Sequence, residues 1–234
     1  MAKSSFQKSI GTAICAFFGI ITFGSIFQLI TNKFDLYNPS ITPTIWIVYD
    51  ILCCIVMAYI ATKKNMVTEL LGRVGAGILA LIFAIFTINL LLSFFDINIY
   101  NTIGQYFGIA VGIIQIIAAA LLFLNIKAWL PVKISAILYW LPGLCSTFFY
   151  AKIKDAFELA EKTSDYSVVE RIFNATAICE YFSLALSILT IALTVVWMTK
   201  KPLAPHAQSN PIDIICLKSA TIIQYTIKGR FMSR

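Results

Sequence analysis

RIFNATAICEYFSLALSILTIALTVVWM (residues 171–198) sets Thr176, Glu180, Ser183, Ser187, Thr190 and Thr194 at steps of four, three, four, three and four residues. That interval keeps side chains on one face of an α-helix. Nearly everything between them is apolar, including Ile178, Phe182, Leu186, Leu189, Leu193 and Val196. The segment reads as a membrane-length helix with one hydroxyl-lined face and a single carboxylate on that face.

The rest of the chain has the same character. Of its 234 residues, 59% are hydrophobic and 12% are charged, and the mean hydropathy is +0.85. Soluble domains carry about 25% charged residues. A bilayer-spanning helix needs about 20 apolar residues, and several runs reach that length. The expected fold class is therefore all-α, a polytopic six-transmembrane-helix bundle, with spans at about 10–30, 44–61, 74–95, 102–124, 132–150 and 168–198. The first run follows Lys3 and Lys8 but exceeds the 7–15 residues of a signal-peptide core, so we read it as a retained span.

The six spans form one membrane domain over 1–200, and 201–234 is a tail. In the tail, Pro202, Pro205 and Pro211 mark a linker, and 212–227 fits either an amphipathic helix or a strand pair. The only sizeable connection is 151–170, where Ile153, Phe157 and Leu159 form an amphipathic turn suited to an interface. Ser167-Val-Val-Glu170 matches a capping box that starts the sixth helix near Val168. Pro142-Gly143 interrupts the fifth span, and a kink is expected there, because proline removes a backbone donor and clashes with the preceding turn.

Lys and Arg near span ends set orientation. With the N-terminus inside, the cytoplasmic side holds nine (Lys3, Lys8, Lys63, Lys64, Arg73, Lys127, Lys133, Lys200 and Lys201). The outer side holds five: Lys33, Lys152, Lys154, Lys162 and Arg171. The expectation is an integral cell-membrane (plasma or inner membrane) protein with both termini cytoplasmic. The net charge of +7 is accounted for by these topology signals and by attraction to anionic lipid, with no call for nucleic acid. Cys15, Cys53, Cys54, Cys145 and Cys179 fall inside apolar segments and read as small buried hydrophobes.

Gly104, Gly108 and Gly112 form a four-residue line on the fourth span, continued by Gln115, and Ala76, Ala80 and Ala84 form a shallower one on the third. Small residues at this spacing let helices approach closely. Gly72, Gly75 and Gly77 open a membrane helix and lack the lysine and hydroxyl of a phosphate loop.

Two carboxylates lie within spans. By helical rise, Asp50 sits roughly 9 Å below the outer end of its span, Glu180 roughly 13 Å below its own, and Asn89 about 9 Å below the end of the third. No Lys, Arg or His shares that depth. A charge near a helix centre costs about 2.5–3.5 kcal/mol to insert. Such an acid is protonated, binds a cation or faces water. Two readings stand. In one, Glu180, Asp50 and Asn89, with Thr176, Ser183 and Ser187, line an outward polar pocket for a proton, a cation or a cationic solute. In the other, the hydroxyls are a packing zipper in a non-catalytic subunit that binds partner transmembrane helices. Tyr49 and Tyr181 neighbour the acids in sequence, and their side chains are expected to point elsewhere, because helical neighbours face about 100° apart.

The sequence argues against several chemistries. His206, the one histidine, lies in the tail, which excludes paired intramembrane haem ligands and disfavours zinc. There is no G-x-S-x-G elbow and no intramembrane histidine base. Tyr49-Asp50 has no glycine-flanked aspartate on another span to pair with, as intramembrane aspartyl proteolysis requires. No enzyme, cofactor or metal site is expected. The expected partners are the lipid bilayer and either a membrane subunit or further copies of the chain.

Overall fold

A computed structural model of the protein describes residues 2–34, 38, 41–63, 67, 69–95 and 107–199. Every regular element among them is helical: α1 (Ala2–Phe34), α2 (Ile41–Thr62), α3 (Leu70–Ser93), α4 (Phe107–Asn125), α5 (Leu130–Leu138), α6 (Trp140–Ala151), α7 (Ile153–Thr163) and α8 (Ser167–Thr199). Six stretches are long and apolar enough to cross a bilayer, with α5 to α7 forming one of them. The chain is a multi-pass membrane protein. The 201–234 tail, Gly104 and the link at 96–101 lie outside the described residues.

The spans pack as a closed ring. α1 lies against α2, α2 against α3, α3 against α4, α4 against α5 and α6, and these against α8, which returns to α1. Large apolar side chains such as Phe23, Leu81 and Tyr181 face outward, as lipid contact allows. The dry core sits at the end of the ring that holds the N-terminal half of α1. Ile10, Ile14, Phe17, Phe18 and Ile21 meet Cys53, Met57 and Ile60 of α2, Leu79 and Phe83 of α3, and Leu122 and Phe123 of α4. At the same end, Arg73 Nε donates to Ala61 O at 2.8 Å and Lys133 Nζ to Leu124 O at 3.0 Å. A cation placed at a helix C-terminus satisfies an orphan carbonyl and opposes the negative end of the helix dipole.

Close approach of α3 and α4 depends on Gly75. A Cβ there would meet Ala118 O at 2.5 Å and Leu122 N at 2.8 Å, both backbone atoms that cannot swing aside. Ala76 and Ala80 of the expected alanine line are buried in the core, whereas Ala84 is half-buried. The α4 glycine line receives α6, with Leu144 Cδ1 lying 2.9 Å from a Cβ built on Gly112 and Thr147 in ordinary contact with Gly108.

Three expectations need correction. The fifth span breaks at Tyr139, not at Pro142-Gly143. Pro142 has no N–H for the Leu138 carbonyl and its ring crowds that carbonyl, so the distortion falls one turn earlier. The amphipathic turn in 151–170 is an 11-residue helix, α7, whose Ala156 and Ala160 pack with Val169. The capping box does not form as expected. Asp165 Oδ1 accepts the Ser167 N–H at 2.9 Å, and Glu170 N–H donates to Tyr166 O at 3.0 Å. That backbone hydrogen bond holds the exposed Asp165 carboxyl below its ordinary range. As expected, α8 begins beside Val168, at Ser167, and it runs 33 residues, about 50 Å at helical rise, longer than the roughly 30 Å hydrocarbon layer.

Candidate functional site: a cavity between the spans

The end of the ring opposite the dry core holds a partly open cavity of about 1060 Å³. α1 contributes Ile21, Gln28 and Thr31, and α2 contributes Thr42, Trp46, Tyr49 and Asp50. Phe83, Phe86 and Asn89 enter from α3, and Gln115 from α4. Trp140, Gly143 and Tyr150 of α6 and Phe173, Thr176, Glu180 and Ser183 of α8 complete the wall. Asp50, Asn89 and Glu180, on three different helices, therefore border one space. Asp50 and Asn89 are buried and Glu180 is half-buried. The only ion pair among the described residues joins Lys154 and Glu158, both exposed, so neither cavity carboxylate has a cationic partner there. Gln28 Nε2 donates to Glu180 Oε1 at 2.8 Å. A neutral amide orients that acid without cancelling its charge.

The hydroxyl line of α8 splits between two roles. Thr176, Glu180 and Ser183 border the cavity. Ser187, Thr190 and Thr194 are fully buried toward the dry end. Thr22 Oγ1 donates to Ser187 Oγ at 2.9 Å, which in turn donates to Leu184 O at 2.8 Å. Thr190 and Thr194 donate to Leu186 O and Thr190 O, each one turn back on the same helix. Hydroxyls satisfied in this way pack like small apolar residues. The zipper reading thus describes the half of the line from Ser187 onward, and Ser187 does not border the cavity.

Aromatic rings close the space on its dry side. Phe17, Phe83 and Trp140 form a triangle with centroids 6.0, 6.3 and 6.4 Å apart. Tyr49 extends it, with its ring 6.5 Å from Phe83 and 5.3 Å from Trp46. Contrary to expectation, Tyr49 borders the same cavity as Asp50, because its long ring reaches a space that a short side chain 100° away would miss; Tyr181 is exposed. Tyr139 and Trp140, consecutive in sequence, both border the cavity and lie in edge contact at 5.3 Å. Gly143, one residue past the proline, would meet nothing within 4 Å if given a Cβ. It therefore contributes volume.

Sequence reasoning did not assign Gln28, Trp46, Tyr139, Trp140 or Gly75 a role at the site or in its framing. A glutamine and a tryptophan inside spans are visible signals, but their facing depends on helix rotation within the ring. Among the described residues no three of His, Cys, Asp and Glu gather as metal ligands, and Cys15, Cys53, Cys54, Cys145 and Cys179 are free thiols.

The chain matches no family model, no curated protein and no solved structure to which it was compared.

Proposed function

We propose that the protein is a small membrane transporter whose cavity takes up a cation or cationic solute, with Glu180 and Asp50 supplying the negative charge. The observation that carries this reading is the meeting of two carboxylates from α2 and α8 on one cavity with no basic partner among the described residues. Uncompensated acids at membrane depth are costly, and a cation or proton from solution offsets that cost. Asn89, Thr42 and Ser183 add neutral oxygens and amides to the same wall. With both termini cytoplasmic, as the basic-residue distribution predicts, the cavity end faces outward. The alternative, a non-catalytic subunit binding partner helices, rests on polar and glycine seams, and Ser187, Gly112, Ala76 and Ala80 are occupied within the chain.

Reconstituted vesicles test the proposal. Glu180→Gln keeps the shape and the Gln28 contact while removing the charge, so pH- or cation-dependent uptake should fall by at least tenfold with thermal stability unchanged. Uptake that persists in the variant, or the absence of any cation flux in the native protein, would refute the reading. A stoichiometric partner recovered from native membranes, with no flux, would favour the subunit alternative.

A further inference from the structure

Ile21, Gly24, Gln28 and Thr31 follow one another on α1 at steps of three, four and three residues, so they share one face of the helix. Ile21, Gln28 and Thr31 border the cavity, and Gly24 does not. The neighbouring helix takes up the gap in that line. A Cβ added to Gly24 would lie 2.5 Å from Cε2, 2.8 Å from Cδ2 and 3.3 Å from Cζ of Tyr49. Carbon atoms in ordinary contact stand about 3.5–4.0 Å apart. The edge of the Tyr49 side chain therefore occupies the place where any other residue at 24 would begin its own. Tyr49 belongs to the cavity wall.

We infer that Gly24 is a positioning residue for the cavity: by carrying no side chain it seats Tyr49 against α1 and so fixes the wall between α1 and α2. The importance given to that wall rests on the reading of the cavity as a transport site; the seating itself does not.

Tyr49 is not a loose chain end that could swing aside at no cost. Trp46 meets its ring edge-on at 5.3 Å and Phe83 at 6.5 Å, and Phe83 is itself buried in the core. A methyl group at 24 has to displace a side chain braced on α2 and α3, or push α1 away from α2. Either shift alters the wall. Gly19, on the same helix, supplies the contrast, because a Cβ there would meet nothing within 4 Å. Replacing a glycine inside a helix by alanine is ordinarily favourable, since glycine loses more backbone freedom on folding. The sign should reverse at Gly24 and keep its ordinary direction at Gly19.

Thermal unfolding of the full-length protein in nanodiscs tests the seating. Gly24→Ala should lower Tm by about 3 °C, whereas Gly19→Ala should leave it unchanged or raise it. Tyr49→Phe keeps the ring, and in that background Gly24→Ala should cost as much as in the native protein. Tyr49→Leu removes the ring, and there Gly24→Ala should no longer lower Tm. If Tyr49→Leu does not fold, the contrast between Gly24 and Gly19 decides alone. Cation uptake into vesicles reads the link to the cavity, with potassium and tetramethylammonium as probes. KM does not depend on how much of the protein is folded, and Gly24→Ala should raise it about fivefold while Gly19→Ala leaves it unchanged. Overturning results are a Gly24→Ala protein as stable as the native one, an equal loss of Tm in the Tyr49→Leu background, or an unchanged KM. Native protein that moves neither cation removes the transporter reading, and the thermal series then decides by itself whether Gly24 seats Tyr49.

Discussion

The two ends of this helical ring use one kind of residue in opposite ways. At the dry end, Ser187, Thr190 and Thr194 are fully buried and bonded to backbone carbonyls one turn back. At the cavity end, Thr176 on the same face of the same helix is also buried, yet its hydroxyl has no hydrogen-bond partner among the described residues. The aromatic residues divide likewise. Phe17 and Phe18 are sealed in the core, whereas Trp140 and Phe83 show one side to the core and another to the cavity. A polar face on a membrane helix is therefore not itself evidence of a site. What distinguishes the ends is whether the neighbouring helices close the gap.

Perturbing each end should give opposite signatures. The largest effect belongs to the dry end. Phe17→Ala removes a fully buried ring that touches Phe18, Phe83 and Trp140, and it should destabilise the protein by about 3–5 kcal/mol. Thermal unfolding in detergent measures this, and a loss under about 1 kcal/mol would show that the rings do not hold the ring of helices together.

Gly143→Leu does the reverse. Its side chain projects into open space, so stability should stay within about 0.5 kcal/mol while uptake is lost because the cavity is filled. Uptake at native rates would mean that the substrate path runs elsewhere.

A smaller effect tests the boundary between the halves. A double-mutant cycle on Thr22→Val and Ser187→Ala should give a coupling of about 0.6 kcal/mol, the usual value for an interhelical hydroxyl bond in a membrane. A coupling of zero would remove the hydrogen bond that ties α1 to α8 at that level.

The smallest effect lies outside the membrane. Asp165 accepts the Ser167 N–H, which lowers its pKa. A carboxyl depressed on folding contributes stability that is fully present above its ordinary pKa of about 3.9 and is lost as pH falls through the lower folded value. The hydrogen-exchange protection of amides in the first turn of α8, taken relative to the intrinsic rate at each pH, should fall on acidification through that window, and Asp165→Ala should show the lower protection already at neutral pH. Equal protection in both proteins at neutral pH would assign no capping role to Asp165.

Much of the architecture is written in composition and period. Runs of about 20 apolar residues with basic residues at their ends can only be spans, because nothing else satisfies their backbone in hydrocarbon. The four-and-three spacing in 171–198 fixes that six polar side chains share a face, and the depths of Asp50, Asn89 and Glu180 follow from helical rise alone. Only the tertiary structure decides what that face meets. Helix rotation and neighbour order place Gln28 against Glu180 and bring Trp140 to the cavity. They also give the α3–α4 contact to Gly75, where the alanine line had drawn attention. The physical reason is that spacing along one helix constrains only that helix. Whether a polar side chain is packed, paired or left facing a cavity depends on the shape of residues more than a hundred positions away, such as Thr22 opposite Ser187.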